Sequence, residues 1–367
     1  MSDQARVVLE VKDLDITFRM ATGDVHAIRG VSFVLRENEV LSLVGESGCG
    51  KSISTKTILG ILPDNAVINS GEVYYYPGEN SPLKSEKKIS LLEKPDAWRY
   101  SHINGSTIAM VFQDPMTSLN PTMTVGRQLS LAIRTHGNAD KKQAYSRAIE
   151  LLREVGITDP ERTYASYPHQ LSGGMRQRIV IAISLSCDPE ILICDEPTTA
   201  LDVTIQDQIL DLLQRIQRSR GLSVIFITHN MGVVARVADY VGVMYAGRII
   251  EIGTVFDIFY DPRHPYTWGL LSAVPESGED EGELYSIPGT PPNLAHEIVG
   301  DAFAPRNPYA MEVDFKAEPP LFQVGTNHYA ATWLADERAP KVEMPEGLRE
   351  RIERMKKEGR DYVGKPE

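Results

Sequence analysis

Residues 45–52 read GESGCGKS and follow the apolar run EVLSLV at 39–44. The pattern is Gly-x4-Gly-Lys-Ser, whose glycines let successive backbone N–H groups approach a phosphate closely. Lys51 can reach the β- and γ-phosphates, and Ser52 can offer its hydroxyl to Mg²⁺. Because the stretch lies between a buried strand and a helix, it predicts a P-loop α/β fold with a nucleotide site. The predicted cofactor-binding residues here are Gly45, Glu46, Ser47, Gly48, Cys49, Gly50, Lys51, Ser52 and Ile53.

A second apolar run, ILICDEP at 191–197, ends in two carboxylates. A carboxylate at the end of a buried strand can hold Mg²⁺, and its neighbour can polarise water in line with the γ-phosphate. We therefore predict that Asp195 binds the metal and that Glu196 is the general base. The alternative, an acidic pair that merely ends a strand, is disfavoured by the phosphate-binding loop upstream.

Further polar residues follow strand-like runs: Gln113 after TIAMVF, His229 after SVIFIT, and Asp202 beyond the acidic pair. Functional groups of a parallel sheet gather at the carboxyl ends of its strands. Gln113 is predicted to complete the Mg²⁺ shell and His229 to be catalytic. Phe18 is a candidate for stacking on adenine, with an ordinary core role as the equal alternative.

The stretch YPHQLSGGMRQR at 167–178 resembles a second anion-binding loop. Ser172 precedes two glycines and then an apolar-periodic run, a pattern typical of backbone that approaches a ligand before entering a helix. Because a phosphate-binding loop already exists upstream, the stretch raises the question of whose phosphate it would contact.

Composition limits the possible functions of this chain. It has 367 residues, 42% hydrophobic and 24% charged, as soluble globular proteins do. Its net charge of −12, from 38 basic and 50 acidic side chains, argues against broad nonspecific binding to nucleic acid or an anionic membrane. Three scattered cysteines form no CxxC pair, which indicates neither zinc nor disulfides and favours a reducing cytoplasm. No apolar stretch reaches the roughly 18 residues that bilayer crossing requires.

The order of patterns predicts several units. Helical periodicity between the strand-like run ending near residue 112 and the run at 191 indicates an inserted helical subdomain at about 114–187. Residues 77–99 are polar and rich in turn formers, which predicts a surface loop or variable insertion. YVGVMYAGRIIEIG, from Tyr240 onward, predicts a hairpin.

A change in composition predicts a small irregular extension at 262–335, with an acidic linker at 276–283. The charged tail at 336–367 is expected to be partly helical, with Leu348, Ile352 and Met355 on one face. A solvated terminal helix is favoured there over a partner-binding one.

Together, these motifs resemble those of the ATP-binding cassette (ABC) family: the loop GESGCGKS, Gln113, the signature LSGG, the strand ending in Asp and Glu, ALD at 200–202 and His229. The resemblance covers residues 6–260 and implies an ATP- and Mg²⁺-binding ATPase domain at 1–261, with an antiparallel β subdomain and the inserted helical subdomain. Members of this family pair head to tail. The resemblance therefore implies that five residues meet the partner chain's ATP: Leu171, Ser172, Gly173, Gly174 and Asp202.

The stretches QDPMTSLNPTMTVGRQL (113–129), DEPTTALDVTIQ (195–206) and HPYTWGLLSAVP (264–275) are similar to the ATPase subunits of oligopeptide and dipeptide importers. That resemblance extends to about residue 335. It implies a peripheral protein on the cytoplasmic face of a bacterial or archaeal membrane. The implied partners are a second, nonidentical ATPase, two transmembrane permeases and an extracellular binding protein, with no nucleic acid.

The extension departs from that family in one respect. Many members carry four cysteines there that ligate an iron–sulfur cluster, but GDAFAPRNPYAMEVD and HYAATWL have Asp301, Asn307, Asp314 and Thr332 at the corresponding positions. Without thiolates no such cluster can be held. We expect no iron–sulfur cluster, and we expect the extension to pack through Phe303, Tyr309, Met311 and Trp333.

Two alternatives remain open from the sequence. The same machinery could import nickel, glycosides or another small solute, because the ATPase subunit does not touch the cargo. A soluble ABC ATPase that acts on ribosomes or DNA is disfavoured, since the chain has one cassette, an acidic balance and no heptad repeats.

Overall fold

Two β-sheets organise the computed structural model, which describes residues 5–79, 81–137, 139–199, 201–274 and 287–358. The strands are β1 (Val7–Met20), β2 (Gly23–Arg36), β3 (Val40–Val44), β4 (Ala66–Tyr75), β5 (Ile89–Ser90), β6 (Ile108–Val111), β7 (Ile191–Asp195), β8 (Ser223–Thr228), β9 (Tyr240–Tyr245), β10 (Arg248–Thr254), β11 (Phe322–Gln323) and β12 (Tyr329–Ala330). The helices are α1 (Lys51–Leu59), α2 (Asp96–His102), α3 (Pro115–Ser118), α4 (Val125–His136), α5 (Lys141–Glu154), α6 (Pro160–Ala165), α7 (Gly173–Ser184), α8 (Val203–Arg220), α9 (Met231–Val237), α10 (Val255–Tyr260), α11 (Pro265–Ser272) and α12 (Glu346–Glu358).

The larger sheet has the order β11-β12-β10-β9-β3-β8-β7-β6. The strands from β9 to β6 in this order are parallel, whereas β10, β11 and β12 pair antiparallel. Every residue of β3, β7 and β8 is buried, as expected for parallel strands covered on both faces. The predicted α/β fold is therefore confirmed, and the loops after β3, β6, β7 and β8 share one edge of this sheet.

Alternate residues of these strands face two different hydrophobic clusters. Ile191, Ile193, Ile225 and Ile227 pack with the antiparallel sheet β2-β1-β4-β5, together with Leu41 of β3. The intervening side chains of β7 and β8 pack against the helices: Leu192, Cys194, Val224 and Phe226. The period of two along each strand thus places the antiparallel sheet on one face and the helical layer on the other.

Between β6 and β7 the described residues contain only helical elements, α3 to α7. Side-chain caps define their starts: Thr124 accepts from the Arg127 N–H, and Asp140 forms a capping box with Gln143. The core of this region joins the helical cluster of the main sheet. The subdomain boundaries stay a prediction, although the position of these helices agrees with them.

The predicted hairpin is confirmed: β9 and β10 pair around Ala246 and Gly247, which both have positive φ. The extension is attached directly to it, because β12 pairs with β10 and extends the larger sheet. Of the four residues expected to pack the extension, Phe303 is fully buried, whereas Tyr309, Met311 and Trp333 are half-buried. The acidic linker and the last nine residues lie outside the described residues.

One expectation holds only in part, and another was wrong. The segment 77–99 is not simply a surface loop, because Ile89 and Leu91 enter the core and β5 pairs with β4. The tail is not a solvated helix: Leu348 and Ile352 are 5% and 3% exposed. The α12 helix packs on α11, and Arg351 donates to the carbonyl oxygens of Leu271 and Val274.

Among the described helices, none combines the length and apolarity that crossing a bilayer requires.

Candidate nucleotide site

The loop after β3 is shaped by two glycines in tight surroundings. At Gly45, with φ of 156°, a Cβ would lie 2.1 Å from the Met244 carbonyl oxygen. At Gly50, with φ of 104°, it would lie 2.5 Å from Cδ1 of Ile28. Helix α1 then begins without a side-chain cap. Its first N–H groups and its dipole therefore suit an anion at this end.

Lys51 is 4% exposed, and its ammonium group lies inside the loop. Its Nζ donates to the carbonyl oxygens of Gly45 at 2.8 Å and Glu46 at 2.9 Å. Phosphate oxygens are stronger acceptors for a buried cation than neutral carbonyls. Of the other predicted loop residues, Ser47 and Gly48 are exposed, Cys49 is buried, and Ile53 is half-buried.

Asp195 and Ser52 lie in contact at the edge of the sheet. The Ser52 hydroxyl donates to Oδ1 of Asp195 at 2.6 Å. Burial raises the pKa of Asp195 above its ordinary value, and the hydrogen bond from Ser52 offsets part of this. A divalent cation would favour the charged carboxylate, and hard oxygen ligands of this kind suit Mg²⁺. No group of three or more His, Cys, Asp or Glu side chains in the described ranges could form a metal cage by itself. The residues therefore fit a Mg²⁺ ion that also takes phosphate oxygens.

Glu196 is the meeting point of three side chains. Its Oε2 accepts from Gln113 Nε2 at 3.2 Å and from Thr199 Oγ1 at 2.9 Å, and it lies 3.3 Å from His229 Nδ1. The backbone of Glu196 has φ of 46°, a strained conformation for a residue with a side chain. The Glu196 side chain is 13% exposed and that of His229 is 53% exposed, so the cluster borders solvent. Gln113 and His229 are among the residues that the sequence predicts for the site, Gln113 as a Mg²⁺ ligand, whereas Thr199, three residues after Glu196, is not predicted.

The signature stretch forms a separate exposed surface. Ser172 caps α7, with its Oγ accepting from the Met175 N–H. Gly173 is exposed, and a Cβ there would meet only Leu201 Cδ2 at 3.7 Å. Gly174 lies closer to α8, because a Cβ on it would be 2.7 Å from Cγ2 of Ile205. Leu171, at 9% exposure, anchors this stretch in the helical core.

Asp202 lies beside the signature stretch, on the segment that begins α8. It caps this helix by accepting from the Ile205 N–H at 3.0 Å. Its neighbour in the ALD motif, Ala200, is outside the described residues. Phe18 lies on β1, opposite Val25 and Ala66, and is half-buried against the core of the antiparallel sheet. The stacking role of Phe18 stays a prediction.

Two residues from beyond the hairpin also reach the phosphate-binding loop, and no local sequence pattern predicts them. Arg306 forms a two-bond ion pair with the Glu46 carboxylate, at 2.8 and 2.9 Å. The Glu46 N–H donates to the Tyr266 hydroxyl at 2.9 Å. The loop is thus bounded partly by the C-terminal extension.

The four residues at the expected cysteine positions are all buried. Three of them accept the N–H of the residue two positions ahead: Asp301 from Phe303, Asn307 from Tyr309, and Thr332 from Leu334. Asp314 accepts instead from the Met311 N–H. These side chains therefore serve as local caps for turns of the extension.

Comparison with known proteins identifies the family of this chain. The family model for the ABC transporter matches residues 28–199, and that for the oligopeptide/dipeptide transporter C-terminal region matches 250–313. The oligopeptide transport ATP-binding protein AmiE of Streptococcus pneumoniae is 51% identical over 345 residues, covering 94% of each chain. OppD of Bacillus subtilis is 51% identical over 352 residues, covering 95% of this chain and 94% of OppD. The dipeptide transport protein DppD of Lactococcus lactis is 52% identical over 336 residues, covering 91% and 93%.

Among solved structures, the dimeric ATP-binding cassette MJ0796 with ADP and Pi matches with a TM-score of 0.57 and 26% identity, covering 67% of this chain and 98% of that one. CbiO1 from Clostridium perfringens, part of an ABC transporter complex, matches with a TM-score of 0.55 and 28% identity, covering 70% and 92%. By its identity to AmiE, OppD and DppD over nearly its whole length, the chain belongs to the ATP-binding cassette transporter family, among the members with an oligopeptide/dipeptide transporter C-terminal region.

Proposed function

We propose that this chain is the ATP-hydrolysing subunit of an importer of oligopeptides or dipeptides. The observation that carries the proposal is the convergence of Gln113, Thr199 and His229 on Glu196, at the sheet edge that also holds Lys51 and Asp195. The peptide cargo rests on the names of the relatives, which favour it over nickel or glycosides. They also favour a transporter over a soluble ATPase of ribosomes or DNA.

In this proposal the loop 45–52 binds the phosphates of ATP. Backbone N–H groups at the start of α1 surround the β-phosphate, and Lys51 exchanges its two carbonyl partners for β- and γ-oxygens. Ser52, Asp195 and Gln113 are the residues that would hold Mg²⁺. When bound, Mg²⁺ supplies positive charge that balances the phosphate oxygens during transfer of the γ-phosphoryl group to water.

Glu196 is the proposed general base. Its carboxylate is oriented through Thr199 and is near enough to His229 for the two to hold one water between them and the γ-phosphate. Gln113 contacts the same carboxylate oxygen from the start of the helical region. Motion of that region would therefore reach the catalytic carboxylate directly.

The signature residues are proposed to act on the ATP of a second, nonidentical ATPase subunit. Leu171, Ser172, Gly173 and Gly174 at the start of α7, with Asp202 beside them, would face the γ-phosphate held by the partner's loop. The exposure of Ser172 and Gly173 supports this, as does the dimeric state of the MJ0796 cassette. Binding of ATP would close such a dimer, and hydrolysis would reopen it.

A groove of about 370 Å³ between the main sheet and the helical region is the proposed docking site for a cytoplasmic helix of a permease. Phe112, which directly precedes Gln113, lines it, and so does the exposed ring of Tyr100. One residue of the groove's lining is thus adjacent in sequence to a residue of the catalytic cluster. Two permeases and an extracellular binding protein complete the proposed assembly, on the cytoplasmic face of the membrane.

The extension is proposed to fold without an iron–sulfur cluster. The oxygens of Asp301, Asn307 and Thr332 already accept backbone hydrogen bonds, and none of the four positions supplies a thiolate, the ligand by which such clusters are held. Stoichiometric iron and acid-labile sulfide in anaerobically purified protein would contradict this.

Co-purification from membranes, followed by mass identification of the bound chains, tests the assembly. Two permeases and a second ATPase are expected, whereas recovery of ribosomal proteins would overturn the proposal. Uptake of a labelled peptide, nickel and a glycoside, compared between a deletion strain and its parent, tests the cargo. Only peptide uptake is expected to fall.

A further inference from the structure

Arg306 is a buried cation in the extension whose partner is a residue of the phosphate-binding loop. Its side chain is 5% exposed, and that of Glu46 is 26% exposed. The two guanidinium nitrogens Nη1 and Nη2 each donate to one carboxylate oxygen, at 2.8 and 2.9 Å. This fork geometry fixes both the distance and the orientation of the pair. Such an arrangement holds the Glu46 side chain far more firmly than a single surface ion pair would.

The guanidinium group has no donor left for another partner. Besides Glu46, Nη1 donates to the Tyr245 hydroxyl, Nη2 to the Ile287 carbonyl oxygen, and Nε to the Pro288 carbonyl oxygen. With the two bonds to Glu46, the guanidinium group donates five hydrogen bonds, which is the number of its N–H groups. The hydrogen bond with Glu46 is the main cause of a raised Arg306 pKa. These hydrogen bonds therefore hold the guanidinium group in a single position beside Glu46.

An aromatic cluster surrounds the pair. The guanidinium lies 5.7 Å from the Tyr245 ring centroid and 6.0 Å from that of Phe303. The Phe303 ring meets the Tyr245 and Tyr266 rings edge-on, with centroids 5.3 and 5.4 Å apart. All three rings are buried, so the cluster shields the Arg306 side of the ion pair from water and strengthens the pair.

Glu46 is restrained at three points. Its carboxylate is held by Arg306, its N–H by the Tyr266 hydroxyl, and its carbonyl oxygen accepts from Lys51 Nζ. Two of these restraints come from beyond the hairpin, and the third ends on the lysine that would bind phosphate. Displacement of Glu46 would therefore move the backbone that positions Lys51.

We propose that Arg306 is a positioning residue for the phosphate-binding loop, so that the C-terminal extension forms part of the nucleotide site. The proposal rests on the proposed function to the extent that the loop binds ATP. Its consequence is that the extension and the loop act as one unit. A change that displaces 287–306 would weaken ATP binding even though this segment lies outside the loop 45–52.

The first test measures the loop itself, without nucleotide. Cys49 in the loop is 5% exposed, and Cys194 on β7 is fully buried. We expect Arg306→Gln to raise the rate of Cys49 alkylation about tenfold, read by peptide mass, with no change at Cys194. Unchanged Cys49 labelling would overturn the proposal. An equal rise in the alkylation rates of Cys49 and Cys194 would indicate global unfolding. If the milder variant Arg306→Lys also shows this equal rise, the result counts against the proposal.

The second test measures the dissociation constant for ATP. We expect Arg306→Gln and Glu46→Gln each to weaken binding about tenfold, Arg306→Lys to recover part of the loss, and the double variant to be no worse than either single one. Additive losses would show that Arg306 does not act through Glu46. The matched control is Glu318→Gln, which removes the ion pairs of the extension with Arg29 and Arg248 but leaves the loop untouched. If wild-type protein bound no ATP, the proposed function would fail, while the cysteine labelling would still decide the role of Arg306.

Discussion

Glu196 carries a strained backbone and three neighbours on one carboxylate oxygen, and it is the residue whose chemistry can be tested most directly. In Glu196→Gln the amide oxygen can still accept from Thr199, but it cannot take a proton from water. We expect ATP turnover to fall by about 10²–10⁴-fold, the range for loss of a general base. ATP binding should persist and trap the closed dimer with the second ATPase subunit, which is therefore present in the assay. Phosphate release and size-exclusion chromatography with ATP measure both effects, and wild-type hydrolysis would remove Glu196 from this role.

Gly173 tests the proposed action in trans. An added Cβ would meet only an ordinary contact with Leu201, so Gly173→Asp should fold normally. Its carboxylate would repel a γ-phosphate approaching from the partner, at a cost of several kcal/mol in a water-poor interface. We expect the ATP affinity of the isolated chain to change less than about twofold. In a Glu196→Gln background, the ATP-induced dimer with the second ATPase subunit should be lost. A large loss of affinity in the monomer would contradict the trans assignment.

At the scale of elements, His264 at the start of α11 should make the free energy of unfolding depend on pH. It is fully buried and caps the helix by accepting from the Tyr266 N–H at 3.0 Å. Burial lowers its pKa to about 3 from an ordinary value of 6.5, and a backbone hydrogen bond with Ala331 offsets part of this. Between these two values the unfolded state binds the proton and the folded state does not. The free energy of unfolding should therefore be unaffected by this group above pH 6.5 and fall as the pH drops toward 3.

His264→Asn keeps a capping oxygen but removes the titration. Relative to wild type, its stability should depend less on pH between 6.5 and 4, by up to about 1.4 kcal/mol per pH unit. Glu39 and Asp301, whose pKa values burial raises to about 7 and about 6, affect both proteins alike with the opposite sign. The comparison of the two slopes by urea titration isolates His264. Identical slopes would show that it does not contribute.

The α12 helix gives the test of the tail. Leu348 is buried against the cluster that contains α11, so Leu348→Ala should lower the free energy of unfolding by about 2–4 kcal/mol. The exposed Glu353 on the same helix is the control, and Glu353→Ala should change stability by less than about 0.5 kcal/mol. If the two changes lowered the free energy of unfolding equally in urea denaturation, α12 would be a solvated helix after all.

What the sequence could predict depended on how local the signal is. The strands β3 and β7 are contiguous in sequence with the functional residues at their ends. The sequence alone therefore predicted the phosphate-binding loop and the positions of Asp195 and Glu196 at the end of a strand. The burial of α12 depends on α11, and the pairing of Arg306 with Glu46 joins positions 260 apart. Charge and periodicity do not encode such partners, because a charged residue is compatible with both solvent and a distant counterion.

At the scale of the whole molecule, the groove between the sheet and the helical region is proposed to connect hydrolysis to the permease. The Tyr100 side chain lines it and is 54% exposed, so Tyr100→Glu should fold normally but place a charge where an apolar helix face is proposed to dock. We expect permease recovery from membranes to fall about tenfold, the effect of losing ~1.4 kcal/mol at an interface. ATP binding by the isolated chain should stay unchanged, because Tyr100 contacts neither the loop nor Glu196. Val299→Glu is the matched control: Val299 is 68% exposed on the extension, away from the groove. Equal losses for both variants would mean that the groove is not the docking site.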